Sequence, residues 1–554
     1  MTKSQWMPAS VRALRQYSWP SFAADLASGV TVGLVALPLA MAFAIASGVA
    51  PEAGIYCAVV TGFLISALGG SKFQIGGPTG AFVVVVAGII ATYGMDGLFM
   101  CTMMAGVMLV ILGVTGMGTA VKYLPRPVVI GFTNGIAILI ASTQIRDFFG
   151  LHTGQVPSAF AARMATLAGA AGTVSPAAAA LGVSALALMI VLRRFAPKVP
   201  GAIVALVLGT IASAAFALPI ETIGARFGGI PSGLPHLRIP AFHPEMVPTL
   251  LRPALTVALL GAIESLLSAV VADRMGGDRH NPNVELTAQG IANIVSPLFG
   301  GLPATGAIAR TATNIRSGAR TPVSGMIHAL TLLAVLLVAA PLARFIPMPV
   351  LAAILLVVSW NMGEWHEIPK LLRLTRTDVA VWAATFGLTV FADLTIAVEV
   401  GMVLAALTFI RRVAVTTSIA AVTPDFVEAG RVHILQDKVI PSYVSVFKIH
   451  GPFLFGAADK LARITDHLDT LQPVVVLRLR YMTAIDGTGL RAFEDLADRL
   501  RASGRTLVLC GAREQPAAVM KQAQFHEHVG DRNICPDIQS AFRRASEIHG
   551  ARAA

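Results

Sequence analysis

Two short stretches, "QIGGPTGAFVV" (residues 74–84) and "GGLPATGAIARTATN" (residues 300–314), each set a proline just ahead of Thr-Gly-Ala. Gly and Pro break a helix, and a threonine or its neighbour can begin the next one, so each copy reads as a break followed by a new helix N-terminus. In the second copy the Thr305 hydroxyl is placed to cap the amides of the following turn. A helix N-terminus carries roughly half a positive charge and several free amides. Two of them facing one point form an anion site without a buried cation. Arg310, one turn beyond the second phrase, either adds positive potential to that site or is a helix-end arginine reaching for water. Taken singly, each copy also reads as a loop ahead of an ordinary helix.

A third stretch carries an acid among apolar neighbours. In "LLGAIESLLSAVVADR" (residues 259–274), an unpaired Glu264 carboxylate would be costly, so it must be protonated, paired or an ion ligand. A structural glutamate bonded to a neighbouring helix end is the alternative. Ser268 lies one turn later on the same face. Glutamate can take up a proton and cancel its charge in passage, and no dedicated cluster of oxygen ligands is visible, which favours proton coupling over sodium. Glu285, Gln289 and Asn293, at i, i+4 and i+8, form a polar stripe better suited to joining helices than to touching substrate. Asp273, Arg274, Asp278, Arg279, His280 and Asn281 read as a solvated loop. Asp393 and Glu399 fit loop or helix-end positions.

The elements that must position these residues are membrane helices. The chain is 55% hydrophobic and 13% charged, with mean hydropathy +0.72, far too apolar for a soluble globular protein. From about Leu26 to Arg411, apolar runs near the roughly 20 residues of a spanning helix follow one another. Splitting them at Gly, Pro and charged breaks gives about fourteen segments. They do not alternate as the strands of a barrel would. No signal peptide is evident in the first residues, so the first membrane helix directs insertion. Lys3, Arg12, Arg15, Arg193, Arg194, Lys198, Arg411 and Arg412 flank the helices and account for the net charge of +12; with an even helix count they place both termini in the cytoplasm, at the plasma (inner) membrane. No basic stripe interleaved with aromatics suggests nucleic acid. Cys57, Cys101, Cys510 and Cys535 have neither metal-ligand nor disulfide-scaffold spacing and read as reduced thiols.

After Arg412 the composition changes. From about Pro441, short β-branched runs such as "PVVVLRLR" alternate with amphipathic helical stretches such as "GLRAFEDLADRLRASG", the pattern of an α/β domain. The expected division is a cytoplasmic segment (1–22), two membrane repeats (23–235 and 236–415), a linker (416–440) and the α/β domain (441–550). That the two proline phrases fall in different halves is the pattern of an internal repeat whose broken helices meet near the midplane.

At these residues the sequence resembles the SulP, or sulfate-permease, family of anion permeases. "DLASGVTVGLVALPLAMAFA" (25–44) is similar to the family's first helix and "QIGGPTGAF" to the start of its third. Residues 281–325, "NPNVELTAQGIANIVSPLFGGLPATGAIARTATNIRSGARTPVSG", are similar to its most specific block, and "AIDGTGLRAFEDL" (484–496) to the signature turn of its STAS domain. The resemblance implies a polytopic α-helical membrane protein of fourteen transmembrane segments in two inverted repeats of seven, forming core and gate domains, followed by a cytoplasmic STAS domain, the whole being a homodimer. It implies substrate between the N-termini of the third and tenth helices: Thr79, Gly80 and Ala81 on one side, and Thr305, Gly306, Ala307 and Ile308, with Arg310 beside them, on the other. Ala36, Leu37 and Leu39 around Pro38 would line the same cavity. A glutamine often follows that proline in the family, and Leu39 removes its polar contact. Glu264 and Ser268 are the implied coupling-ion residues, for a proton or for sodium. Thr488 matches the phospho-acceptor position of regulatory STAS proteins.

The function expected is secondary active transport of a small anion: sulfate, bicarbonate or a short dicarboxylate. Proton symport by alternating access is the favoured mechanism, with a sodium-coupled bicarbonate symporter or an anion channel of the same fold as alternatives. No cofactor, metal centre or enzyme constellation is present in the sequence, and without a phosphate-binding loop ion gradients must drive the cycle.

Overall fold

Lipid offers the backbone no hydrogen-bond partners, so the long apolar runs fold as helices. The computed structural model describes residues 6–15, 17–119, 125–154, 156–196, 199–231, 233–237, 239–392, 394–421, 440–454, 460–461, 464 and 470–553. Lys3, Lys198, Asp393 and most of the expected linker lie outside the described residues. The described chain divides into two units, Met1–Met402 and Val403–Ala554.

The first unit opens with α1 (Ala9–Leu14), α2 (Trp19–Ala46) and α3 (Pro51–Leu68); both α2 and α3 carry proline in the first turn, where no backbone donor is lost. A two-residue strand β1 (Gly76–Gly77) leads into α4 (Gly80–Val114). At 35 residues α4 is far longer than a bilayer requires, and Gly94, at φ 70° and ψ −172°, breaks it into two segments. Next come α5 (Arg126–Phe149), α6 (Phe160–Gly169), α7 (Pro176–Phe195), α8 (Gly201–Ala215), α9 (Ile223–Phe227), α10 (Val247–Gly276) and α11 (Pro282–Val295). A second strand β2 (Thr305–Gly306) precedes the nine-residue α12 (Ile308–Arg316), followed by α13 (Val323–Ala343), α14 (Met348–Met362), α15 (Ile368–Leu371), α16 (Arg376–Phe391) and α17 (Leu394–Thr416), which runs into the second unit. Eight described helical segments are long and apolar enough to cross a bilayer, namely α2, α3, α4, α5, α7, α10 with the turn before it, α13, and the α14–α15 run. This is fewer than the about fourteen segments expected from the sequence.

Packing within the unit pairs α2 with α13 and α3, α4 with α11 and α10, and α5 with α14 and α16. Close approach depends on small residues. A Cβ on Gly290 of α11 would lie 2.5 Å from the Gly106 carbonyl oxygen of α4. Two buried carboxylates join elements. Asp25 accepts the amides of Arg320 and Thr321 (2.7 and 3.0 Å), the Thr321 hydroxyl (2.6 Å) and the Tyr17 hydroxyl (3.1 Å), tying the start of α2 to that of α13. The polar stripe of α11 joins elements as expected. Glu285 accepts the amides of Gly70 and Ser71 and the Gln289 amide, while Asn293 exchanges hydrogen bonds with both backbone groups of Ala304. The segment expected as a solvated loop begins inside α10, which holds Asp273 and Arg274; Asp273 pairs with a nearly buried His280, and Asp278 pairs with Lys72. Arg226 holds Asp147 at the end of α5 and Glu221 outside the spans, and its hydrogen bond to Glu221 lowers that carboxyl's pKa.

The second unit is an α/β domain. Its five strands, β3 (Ser418–Ala421), β4 (Val444–Phe453), β5 (Val474–Ile485), β6 (Thr506–Cys510) and β7 (Ile534–Cys535), lie in sequential order, with β3 antiparallel to β4 and the rest parallel. β3 falls in the segment expected as linker. Residues 474–479 of β5 are buried without alternation, because parallel strands are covered on both faces. On one face Phe453, Phe493 and Phe525 pack with α18 (Gly487–Ala502); on the other, Val476, Val508 and Cys510 pack under α21 (Ile538–Ala553), after α19 (Glu514–Gln522) and α20 (His526–Val529). All four cysteines are free and buried.

Candidate anion site at the strand crossing

The two proline phrases meet. β1 and β2 pair antiparallel, with Gly76 opposite Gly306 and Gly77 opposite Thr305. This short ladder lets two broken helices exist within a membrane unit, since each irregular backbone satisfies the other. The phrases are out of phase, however. Thr79 is the N-cap residue of α4, whereas the N-cap of α12 is Ala307, two residues beyond Thr305. Thr305 does not cap the following turn, because pairing with Gly77 holds it in the strand. Its hydroxyl shares a 2.6 Å hydrogen bond with Ser265 and donates to the Gly261 carbonyl at 3.1 Å.

One helix grips both halves. On α10, Glu264 Oε2 accepts from Thr79 Oγ1 at 2.8 Å, and the next residue, Ser265, accepts the Gly306 amide at 3.1 Å. Ser268 turns instead to Thr311, donating at 3.1 Å to the oxygen that also accepts the Ile75 amide. Glu264 and Ser268 therefore share no partner. Glu264 is half-buried, while Ser265 and Ser268 are wholly buried.

Neither α4 nor α12 has a side-chain cap. Of the amides expected to face an anion, that of Gly306 is taken by Ser265 and that of Ala307 by the Ile75 carbonyl at 2.8 Å. The donors without intrahelical acceptors begin at Gly80 on one side and Ile308 on the other. Residues 301–307 are buried, and Ile308 is the first exposed position after them. Beside Gly80, the place of a Cβ is crowded by Met362 Sδ (2.8 Å), Ile140 Cδ1 (2.9 Å) and Phe43 Cε1 (3.3 Å), which wall the start of α4 and carry no sequence signal. Leu39 shares Phe43's face of α2 one turn earlier. Ala36 packs against Ala58 and Leu332, and Leu37 lines a separate apolar crevice.

Arg310 does not reach for water. It is 2% exposed, and Nη2 donates to the Pro78 carbonyl at 2.7 Å across the crossing. Nη1 has no hydrogen-bond partner among the described residues and lies 2.4 Å from where a Cβ on Gly77 would sit. The Pro78–Thr79 unit is thus bracketed, with Arg310 on its carbonyl and Glu264 on its hydroxyl. Gly77 adopts φ 151°, which a side chain resists. Gly77→Ala should cost about 1–3 kcal/mol of stability through backbone strain and displacement of the guanidinium. A thermal melt checks this; an unchanged melting temperature would mean that the guanidinium relocates freely.

Comparison with known proteins places this geometry. Residues 22–385 match the sulfate permease family and residues 435–541 the STAS domain. The chain is 42% identical over 527 residues to the putative sulfate transporter YvdB of Bacillus subtilis, covering 94% of this chain and 97% of that one. It is 34% identical over 536 residues to the bicarbonate transporter BicA of Picosynechococcus, covering 94% of each. Its fold matches a solved structure of SLC26A9 with a TM-score of 0.87 over 98% of this chain and 93% of that one, at 16% identity, a likeness of fold alone. With the family match over residues 22–385 and 42% identity to YvdB across nearly the whole of both chains, this chain is a multi-pass membrane protein of the sulfate permease family with a C-terminal STAS domain.

Proposed function

We propose that the chain is a secondary transporter that carries a small anion by alternating access, coupled to a proton taken up at Glu264. The observation that supports this reading is the crossing itself, which pairs the strands leading into two uncapped helices and lies beside a buried arginine. Relatives named as sulfate and bicarbonate transporters make those oxyanions the first candidates, with short dicarboxylates next. When Glu264 is ionised, its charge offsets Arg310 and the helix dipoles. Protonation removes that offset and leaves net positive potential for the anion. A unit charge about 8 Å away is worth on the order of 2 kcal/mol at an effective dielectric near 20, or about thirtyfold in affinity. Proton and anion therefore bind together.

The same reading takes the membrane unit as fourteen segments in inverted repeats of seven (23–235 and 236–415), a homodimer in the plasma membrane with both termini cytoplasmic. Sodium is the alternative coupling ion, favoured by the hydroxyl oxygens that Thr79, Ser265 and Thr305 bring to the residues around Glu264. Uptake of labelled sulfate, bicarbonate and dicarboxylates by purified protein in liposomes, under imposed proton or sodium gradients, tests cargo and coupling together. Accumulation above equilibrium under a proton gradient is expected; large unitary currents without accumulation would make the protein a channel.

Thr488 is exposed in the first turn of α18, after the Asp486 side chain caps the Gly489 amide at 2.8 Å. A phosphate there is electrostatically tolerated. If this turn regulates transport, Thr488→Glu will change the uptake rate by about twofold or more at unchanged stability; identical rates would leave the turn purely structural.

A further inference from the structure

Leu37 and Met41 of α2, Ile55 of α3, Leu206 of α8 and Leu336 of α13 line a crevice of about 360 Å³. At roughly 30 Å³ per molecule it has the volume of about a dozen waters, yet its lining gives them almost nothing to bond. Thr210, the polar side chain of the lining, already donates to the Leu206 carbonyl at 2.7 Å. Three of the helices that line the crevice, α2, α3 and α13, are apolar enough to span the bilayer, and beside it Val338 and Leu342 are 82% and 65% exposed. Hydrocarbon is the occupant that such a wall favours and a bilayer supplies.

Its end carries a charge. Phe345 is part of the lining, and the Arg344 guanidinium sits 4.6 Å over the Phe345 ring. Arg344 has no ion-pair partner among the described residues, and the acids of the adjoining segments, Asp147 and Glu221, are both held by Arg226. An apolar slot in lipid that ends at an unpaired arginine matches a phospholipid with an anionic headgroup, its chain in the slot and its phosphate at Arg344. We propose that this crevice binds one such lipid from the surrounding bilayer, as a wedge between α8 and the α2–α13 pair.

The test uses the full chain reconstituted in phosphatidylcholine vesicles with and without phosphatidylglycerol, then gently extracted for native mass spectrometry. Wild type should retain one phosphatidylglycerol in preference to phosphatidylcholine. Arg344→Ala should retain about fivefold less, and Leu206→Trp, which fills the slot, should retain neither. Equal retention in wild type and Arg344→Ala, or no preference for phosphatidylglycerol in wild type, overturns the proposal. So does a dimer that carries no lipid and that Leu206→Trp dissolves, since a second copy would then cover the face. Arg344 is exposed, so Arg344→Ala decides the matter even if Leu206→Trp fails to fold.

Discussion

Replacing Glu264 by glutamine is expected to abolish accumulation driven by a pH gradient, by about a hundredfold, while exchange of labelled for unlabelled anion stays within about threefold of wild type. Glutamine keeps the shape and can still accept the Thr79 hydroxyl that Glu264 accepts at 2.8 Å. What it loses is the negative charge. The variant is fixed in the neutral form, which leaves Arg310 and the two helix ends uncompensated, so the anion still binds but no proton travels with it. The comparison separates coupling from architecture. A merely structural glutamate would tolerate this substitution, and pH-driven uptake equal to wild type would sink the proton proposal. Loss of exchange together with accumulation would instead make Glu264 part of the anion site. Repeating the assay with a sodium gradient at symmetrical pH tells which ion the carboxylate serves.

The second large effect is expected at Arg310. Arg310→Ala should raise the KM for anion uptake by about a hundredfold, from loss of a buried charge and of a charge-assisted hydrogen bond that together supply about 3 kcal/mol. It also leaves the Pro78 carbonyl without its 2.7 Å donor, so some loss of thermal stability should accompany it. Arg310→Lys is the informative control: it restores the charge but not the planar fork that can brace Pro78 through Nη2 while Nη1 stays free. Partial recovery of KM in the lysine variant would assign the effect to charge. If the alanine variant lowers the maximal rate and the melting temperature while KM holds, Arg310 is a brace between the two breaks and the anion is held by amides alone.

Both predictions rest on features that differ in how legible they were. The broken helices were readable because Gly76, Gly77 and Pro78 forbid a continuous helix locally, whatever surrounds them. The α/β domain was readable for the same kind of reason, from β-branched runs and helical periods that each act over a few residues. Glu264 was conspicuous as an acid in an apolar span. Ser265 and Thr311, which hold β2 and the segment before β1, were not, since a lone hydroxyl in a hydrophobic helix usually bonds its own backbone. Their only signals were adjacency to Glu264 and to Arg310.

By itself, then, the sequence determined that this chain is a membrane protein with two interrupted helices, an acid at depth and a mixed α/β tail, because hydropathy, proline and glycine act through near neighbours. Only the tertiary structure decided the phase of the two phrases. Antiparallel pairing of Gly77 with Thr305 takes Thr305 out of the cap position and gives it to Ala307, and a register between distant strands is not written in either one. It likewise decided that Arg310 crosses to Pro78 and that Phe43, Ile140 and Met362 wall the start of α4. Those contacts depend on how helices far apart in the chain pack, which no local pattern encodes.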